Sequence, residues 1–237
     1  MNQRVTIGPF NRNDAAAAAA LHQRNFPDDL FTLAGERLVL RLFQELADEI
    51  SLAATLDGQL VGYVVGTLNK SRFMKRMVRH HLPILAAGIA AAIISHPYDA
   101  PGYLQGFVRW IARVRPRVHS GMAVVMYDAM SKDARRLGIP PLFFLELHAR
   151  WMIYAEQLGA QRIDGQVTDP RMLAALSRLG YRLDRTVSTR TGKKHYISCE
   201  LPAEAAHRWA AGTDAQTSRD TPYGATRSAM DGVDSGT

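Results

Sequence analysis

The 237-residue chain is 47% hydrophobic, enough to enclose a core as one globular unit, and its one cysteine, Cys199, excludes an internal disulfide framework. Lys and Arg number 29 against 22 Asp and Glu, a net charge of +7, and the excess is local: residues 69–120 hold nine Lys/Arg against Asp99 alone, while 203–237 hold three Arg against five acids. The first residues, MNQRVTIGPF, lack the apolar stretch of a secretory signal, so a cytoplasmic protein is expected, with the cytosolic face of a membrane as a possible peripheral location.

In chain order, RVTIGPF reads as a strand, with Asn13 or Asp14 capping a helix through AAAAAALHQRN, since alanine is the strongest helix former. A second helix over roughly 33–49 puts Leu38, Leu42, Phe43 and Leu46 on one face. The strands ISLAATL and QLVGYVVGTL flank Asp57-Gly58, a hairpin signal because both residues tolerate positive φ. Residues 69–120 then interrupt the alternation. Basic KSRFMKRMVRHH leads into the 13-residue apolar run LPILAAGIAAAII, followed by basic GFVRWIARVRPR. The run is too short to span a bilayer and reads as part of a buried or interfacial helical hairpin. GMAVVMYDAM is a strand, PPLFFLELHARWMIYAEQLG a helix, RIDGQV a strand and DPRMLAALSRLG a short helix. YRLDRTVST and KKHYISCEL make a last hairpin around Thr191-Gly192. The polar segment 203–237 shows no apolar periodicity and is expected to be disordered. The class is therefore α/β, a mixed sheet flanked by helices.

The stretch ARRLGIPP, residues 134–141, joins a strand to a long helix. Glycine and two arginines at a helix N-terminus suit an anion, because the first N–H groups of a helix have no intrahelical partner and the dipole favours negative charge. Pro140 and Pro141 fit a first helical turn but cannot donate. The other reading is an ordinary turn punctuated by proline.

The order of elements, with DGQLVGYVVG (57–66), AMSKDARRLGIP (129–140) and DPRMLAALSRLGY (169–181), resembles the GNAT superfamily of acyl-CoA-dependent N-acyltransferases. The resemblance covers residues 4–202 apart from the helical insertion at 69–120. It implies a GNAT-like fold and acetyl-CoA, or another acyl-CoA, as co-substrate without a metal. It also implies that the pyrophosphate lies on the N–H groups of Arg136, Leu137, Gly138 and Ile139, with Arg135 and Arg136 adding charge. Ala129 and Met130 would meet the pantetheine arm, and Asp169 opens the helix on the other side of the cofactor. The family's usual base and acid positions fall here on Val124 and Leu176, neither of which can move a proton.

Attack on a thioester needs a neutral amine and a proton for the departing thiolate. The nearest groups are Asp128 as base and Tyr127 as acid, which strand alternation sends to opposite faces; a solvated carboxylate and a core tyrosine are the structural alternative. Asp28 and Asp29 stand where an ammonium acceptor can be held, though either can instead cap a helix. Cys199 reads as core. His80, His81, His96 and His119 show no metal-ligand spacing. The reaction expected is acetyl transfer to a primary amine of a small-molecule or sugar-type acceptor. Two alternatives stand beside it: transfer of a longer acyl chain, and a catalytically degenerate domain that binds a membrane or partner. The basic residues of 70–117 suit an anionic membrane surface or a lipid-linked acceptor. No nucleic-acid motif accompanies the charge.

Overall fold

The computed structural model describes residues 5–27, 29–95, 121–134, 136–140, 142–189 and 192–219. Seven strands form one mixed sheet in the order β1-β2-β3-β4-β5-β7-β6. Its first half comprises β1 (Val5–Pro9), α1 (Ala15–Asn25), α2 (Leu30–Leu33), α3 (Glu36–Leu46), β2 (Ile50–Leu56), β3 (Gln59–Thr67) and α4 (Lys70–Ser95). The second half comprises β4 (Met122–Met130), α5 (Phe143–Gln157), β5 (Arg162–Val167), α6 (Pro170–Ser177), β6 (Arg182–Thr189), β7 (Gly192–Glu200) and α7 (Glu204–Arg219). Pro9 is tolerated because β1 is an edge strand. Asp57 and Gly58 take φ of 49° and 82° at the β2–β3 turn, the conformation that sequence pair favours.

Each face of the sheet carries its own core. On one, α1 and α3 lay Ala18, Leu21, Leu38, Leu42 and Phe43 against Tyr63 and Val65. On the other, α5 packs Leu147, Trp151 and Met152 against Val64, Ile163 and Ile197. The helix expected over 33–49 is shorter, α3 at Glu36–Leu46, and begins after Gly35, whose φ is 105°. The N-cap of the first helical turn is Asn11, whose side chain accepts from Asn13 N–H while Asp14 accepts from Asn11 N–H.

Within the insertion, the basic stretch and the apolar run make one helix, α4, which continues through Pro83. Its inner face buries Phe73, Met74, Met77, Leu85 and Ile89. Arg76 is not a free surface charge, since it donates to Glu45 and Glu49 at 2.7 Å each. The second basic stretch, 106–117, lies outside the described residues. No helix among the described residues is long and apolar enough to cross a membrane.

The tail expectation is corrected as far as Arg219. Residues Glu204–Arg219 form α7, which docks on α5 through Ala203, Ala206 and Ala210. These three fall at helical spacing, and Trp209 on the same helix packs against the core as well.

Candidate active site

Strands β4 and β5 run parallel but pair only at Met122↔Arg162, Ala123↔Ile163 and Val124↔Asp164. Beyond Val124 they part, while β4 stays paired with β3 to Gly62↔Met130. A cleft of about 550 Å³ opens at this end of β4. Its walls include Asn25 and Phe26 from α1 and its exit, Asp128, the turn before α5, and the start of α6.

A bulge decides which residues of β4 face this cleft. Val65 pairs with Tyr127 but Gly66 pairs with Val125, leaving Met126 as the extra residue. Before it, Ala123 and Val125 pack toward α5. After it, Tyr127 and Ala129 pack toward α1 and α3, and Asp128 takes the α5 side. An inserted residue reverses the alternation. Without it Asp128 would face the other core.

Asp128, its side chain 25% exposed, lies with Oδ2 3.6 Å from Nδ1 of His148 on α5. Burial raises the Asp128 carboxyl to about 6, its own backbone N–H pulling the other way. Burial also lowers His148 to about 3, so at neutral pH that ring is uncharged and the contact is not an ion pair. The other ring nitrogen, Nε2, is 2.9 Å from the Tyr181 hydroxyl. His148 Nδ1 has no hydrogen-bond partner among the described residues.

Tyr127 is separated from Asp128, as alternation requires. Its ring stands 4.6 Å from that of His22, with Phe26 and Phe31 at 6.3 and 6.5 Å. Burial, followed by the nearby Asp29 charge, raises its hydroxyl well above the usual range. It is a packed aromatic of the α1 face. Asp29 caps α2 by accepting from Phe31 N–H at 3.0 Å and lies 3.5 Å from His22 Nε2, so Asp29 fills the capping role. Asp28 lies outside the described residues.

The turn before α5 does not leave all its expected donors free. Leu137 N–H donates to the Asp133 carbonyl at 3.0 Å, and Ile139 N–H to that of Ala134 at 2.9 Å. Gly138, at φ 72°, closes this single turn as a left-handed residue closes a helix C-terminus. Two of the four predicted pyrophosphate donors are therefore spent within the turn. Cations stand nearby: Lys132 and Arg171 line the cleft, and Arg136 is exposed 3.5 Å from Asp133. Arg135 lies outside the described residues. Ala129 is buried, and the Met130 carbonyl accepts from Asn25 Nδ2 at 3.2 Å. Asp169 caps α6 by accepting from Arg171 N–H at 2.8 Å and borders the cleft. Leu176 and Val124 are both buried.

No family model matches the sequence, and no curated protein matches it significantly. Solved structures do. A GNAT-family acetyltransferase from Streptococcus pneumoniae superposes with a TM-score of 0.52 at 11% identity, covering 84% of this chain and 99% of its own. An arylalkylamine N-acetyltransferase-like protein from mosquito gives 0.54 at 13%, covering 84% and 100%. An agmatine N-acetyltransferase mutant gives 0.54 at 12%, covering 83% and 99%. This chain has the GNAT fold. The GNAT resemblance read from three short motifs thus holds for the architecture. Sequence reading passed over His148, whose one signal is a histidine within the apolar run of α5, and over the pairing with Tyr181. Among the described residues no group of three or more His, Cys, Asp or Glu can hold a metal ion. Cys199 is buried in β7.

Proposed function

We propose that this GNAT-fold chain is an acyl-CoA-dependent N-acyltransferase that moves an acetyl group from acetyl-CoA to a primary amine. The observation that carries the reading is Asp128: a carboxylate turned by the bulge onto the wall of the cleft, at the end of β4 where β5 has parted from it. Burial there raises its affinity for a proton, which suits a base working near neutral pH. Asp128 accepts the proton shed by the amine as nitrogen bonds to the thioester carbon. It then returns that proton to sulfur as the C–S bond breaks, so amide and free thiol leave and the carboxylate is regenerated.

The residues around the cleft fit a coenzyme A diphosphate. Lys132, Arg171 and Arg136 supply positive charge, and bonds between charged groups are worth more than neutral ones. Arg136 N–H and Gly138 N–H complete the donor set once the bonded pair Leu137 and Ile139 is discounted. On this reading Ala129 and Met130 flank the pantetheine, Asp169 borders it, and the acceptor amine enters past Asn25 and Phe26 with Asp28 and Asp29 on the neighbouring loop. Tyr127 supports the acceptor wall and does not act as the acid.

Calorimetry with acetyl-CoA tests this directly. Wild type should bind. Gly138→Asp, which puts a charged side chain at positive φ beside the diphosphate, should bind at least ten-fold more weakly. Wild type should also acetylate members of a panel of primary amines, and Asp128→Asn should lose 10² or more in kcat. Absence of acetyl-CoA binding by wild type overturns the reading.

A further inference from the structure

We infer that His148 is a positioning residue for Asp128, held in one tautomer by Tyr181, so that its Nδ1–H presents a buried donor to the carboxylate on the cleft wall. This rests on the acyl-transfer reading of Asp128. The sequence separates the three groups widely, and they come from β4, the middle of α5 and the residue that follows the α6 turn.

The argument begins from what each atom can do. The His148 ring is 1% exposed and neutral, so it carries one N–H. An ionised Asp128 only accepts. Tyr181, 3% exposed, both donates and accepts. One arrangement sets no two like groups against each other. The Tyr181 O–H donates to Nε2 across 2.9 Å, which leaves the ring hydrogen on Nδ1, aimed at Asp128 Oδ2 3.6 Å away. The opposite tautomer would point two lone pairs, on Nδ1 and the carboxylate, at each other. Nδ1 is also the one buried ring nitrogen without a partner among the described residues, and an unmet buried donor costs enough that natural sites rarely keep one without a use. The gap of 3.6 Å is longer than a hydrogen bond, yet in a buried site the N–H dipole acts on the carboxylate across it, and such contacts commonly tighten when the substrate is bound.

Among the described residues no formal charge on another element forms an ion pair with Asp128. Tyr63 on β3 and Tyr181 feel its charge, both raised by burial and by Asp128. Lys132, Arg171 and Asp169 lie along the cleft wall. The neutral His148 ring is thus the group placed to tune when Asp128 gives up its proton. Donation to the ionised carboxylate favours it. Closure of the gap in the working enzyme therefore lets Asp128 act as base at lower pH than burial alone would permit.

The test is a titration of Asp128 by carboxyl-carbon NMR with selectively labelled aspartate, with and without saturating acetyl-CoA, in four proteins: wild type, His148→Gln, His148→Asn and Tyr181→Phe. Gln keeps an amide near Nε2 and loses the donor near Nδ1, so the Asp128 midpoint should move up by about one pH unit. Asn keeps a donor near Nδ1 and should restore most of the wild-type value. Tyr181→Phe should shift it in the same direction as Gln, by less. Where turnover is measurable, the acid limb of kcat/KM should follow the same order. Equal midpoints in all four proteins overturn the inference, as does an equal shift in Gln and Asn variants, which would mark His148 as packing alone. Because the midpoint is read without turnover, it judges His148 even if wild type binds no acetyl-CoA; that failure would count against the acyltransferase reading only.

Discussion

Trp151 lies across Gly66. A Cβ built on Gly66 would overlap Cζ2 of the Trp151 ring and stand 2.5 Å from the Val124 carbonyl oxygen. The indole cannot step aside, because its Nε1–H donates to the Ile50 carbonyl at 2.8 Å in a fully buried site. Gly66 is also the residue at which the β3–β4 register shifts. The close approach of tryptophan and the bulge that turns Asp128 therefore share one position.

Gly66→Ala is expected to destabilise the protein by about 1–3 kcal/mol, the usual range for overpacking a core, and to lower Tm by several degrees. Acetyl-CoA-dependent activity should fall further than stability alone explains, since the bulge relaxes with the clash. Thermal unfolding and turnover on the same preparation check this; an unchanged Tm would contradict it.

Gly88 of α4 makes a similar approach to the corner between α2 and α3. A Cβ there would overlap the Ala34 carbonyl oxygen and lie 2.8 Å from Ala34 Cβ. Alanine is intrinsically the better helix residue by about 1 kcal/mol, so on an isolated helix Gly88→Ala would stabilise. Here the obstacle is backbone and the clash should win, giving net destabilisation in urea titration. A gain in stability would mean that α4 shifts freely on its bed.

Asp128 and His148 impose opposite pH dependences. The folded-state pKa of Asp128 is raised to about 6, so its contribution to stability is complete below the unfolded carboxylate value, about 4, and is lost as pH rises through 6. That of His148 is lowered to about 3, so its contribution is present above about 6.5 and is lost as pH falls toward 3. Between about pH 4 and 6 the two slopes offset one another. Asp128→Asn removes the first, so its stability relative to wild type should be raised at pH 7 and fall away as pH drops from 6 to 4. His148→Gln removes the second, and its stability relative to wild type should rise over the same window. Urea denaturation at four pH values distinguishes these from two variants that run parallel to wild type.

Truncation after Leu201 removes α7 and uncovers the part of α5 that Ala203, Ala206 and Ala210 now cover. It also breaks the contact between His207 Nε2 and Glu156 Oε2, 2.8 Å apart. Tm should fall by several degrees. An unchanged melting curve would show that α7 contributes nothing to the fold.

Local pattern alone determined the order of strands and helices, the Asp57-Gly58 turn, the amphipathic face of α3 and the limits of β5, because these depend on propensities and periods within a few residues of one another. It also placed Asp128 and Tyr127 on opposite faces of one strand. Which face each takes was decided by the pairing of β4 with β3, some sixty residues earlier in the chain, since one bulged residue reverses the parity of all that follow. The same holds for His148 and Tyr181: nothing near either residue marks the other, and only the packing of α5 beneath the end of α6 brings ring and hydroxyl together. In the turn at 133–139, spacing correctly placed a strand-to-helix connection. Whether its N–H groups are free depends on which carbonyls they meet, and Gly138 at positive φ folds two of them back on Asp133 and Ala134. In α7 the buried Ala206 and Ala210 and the packed Trp209 sit among polar residues, and a mostly small-residue face is worth something only when another helix is there to approach it.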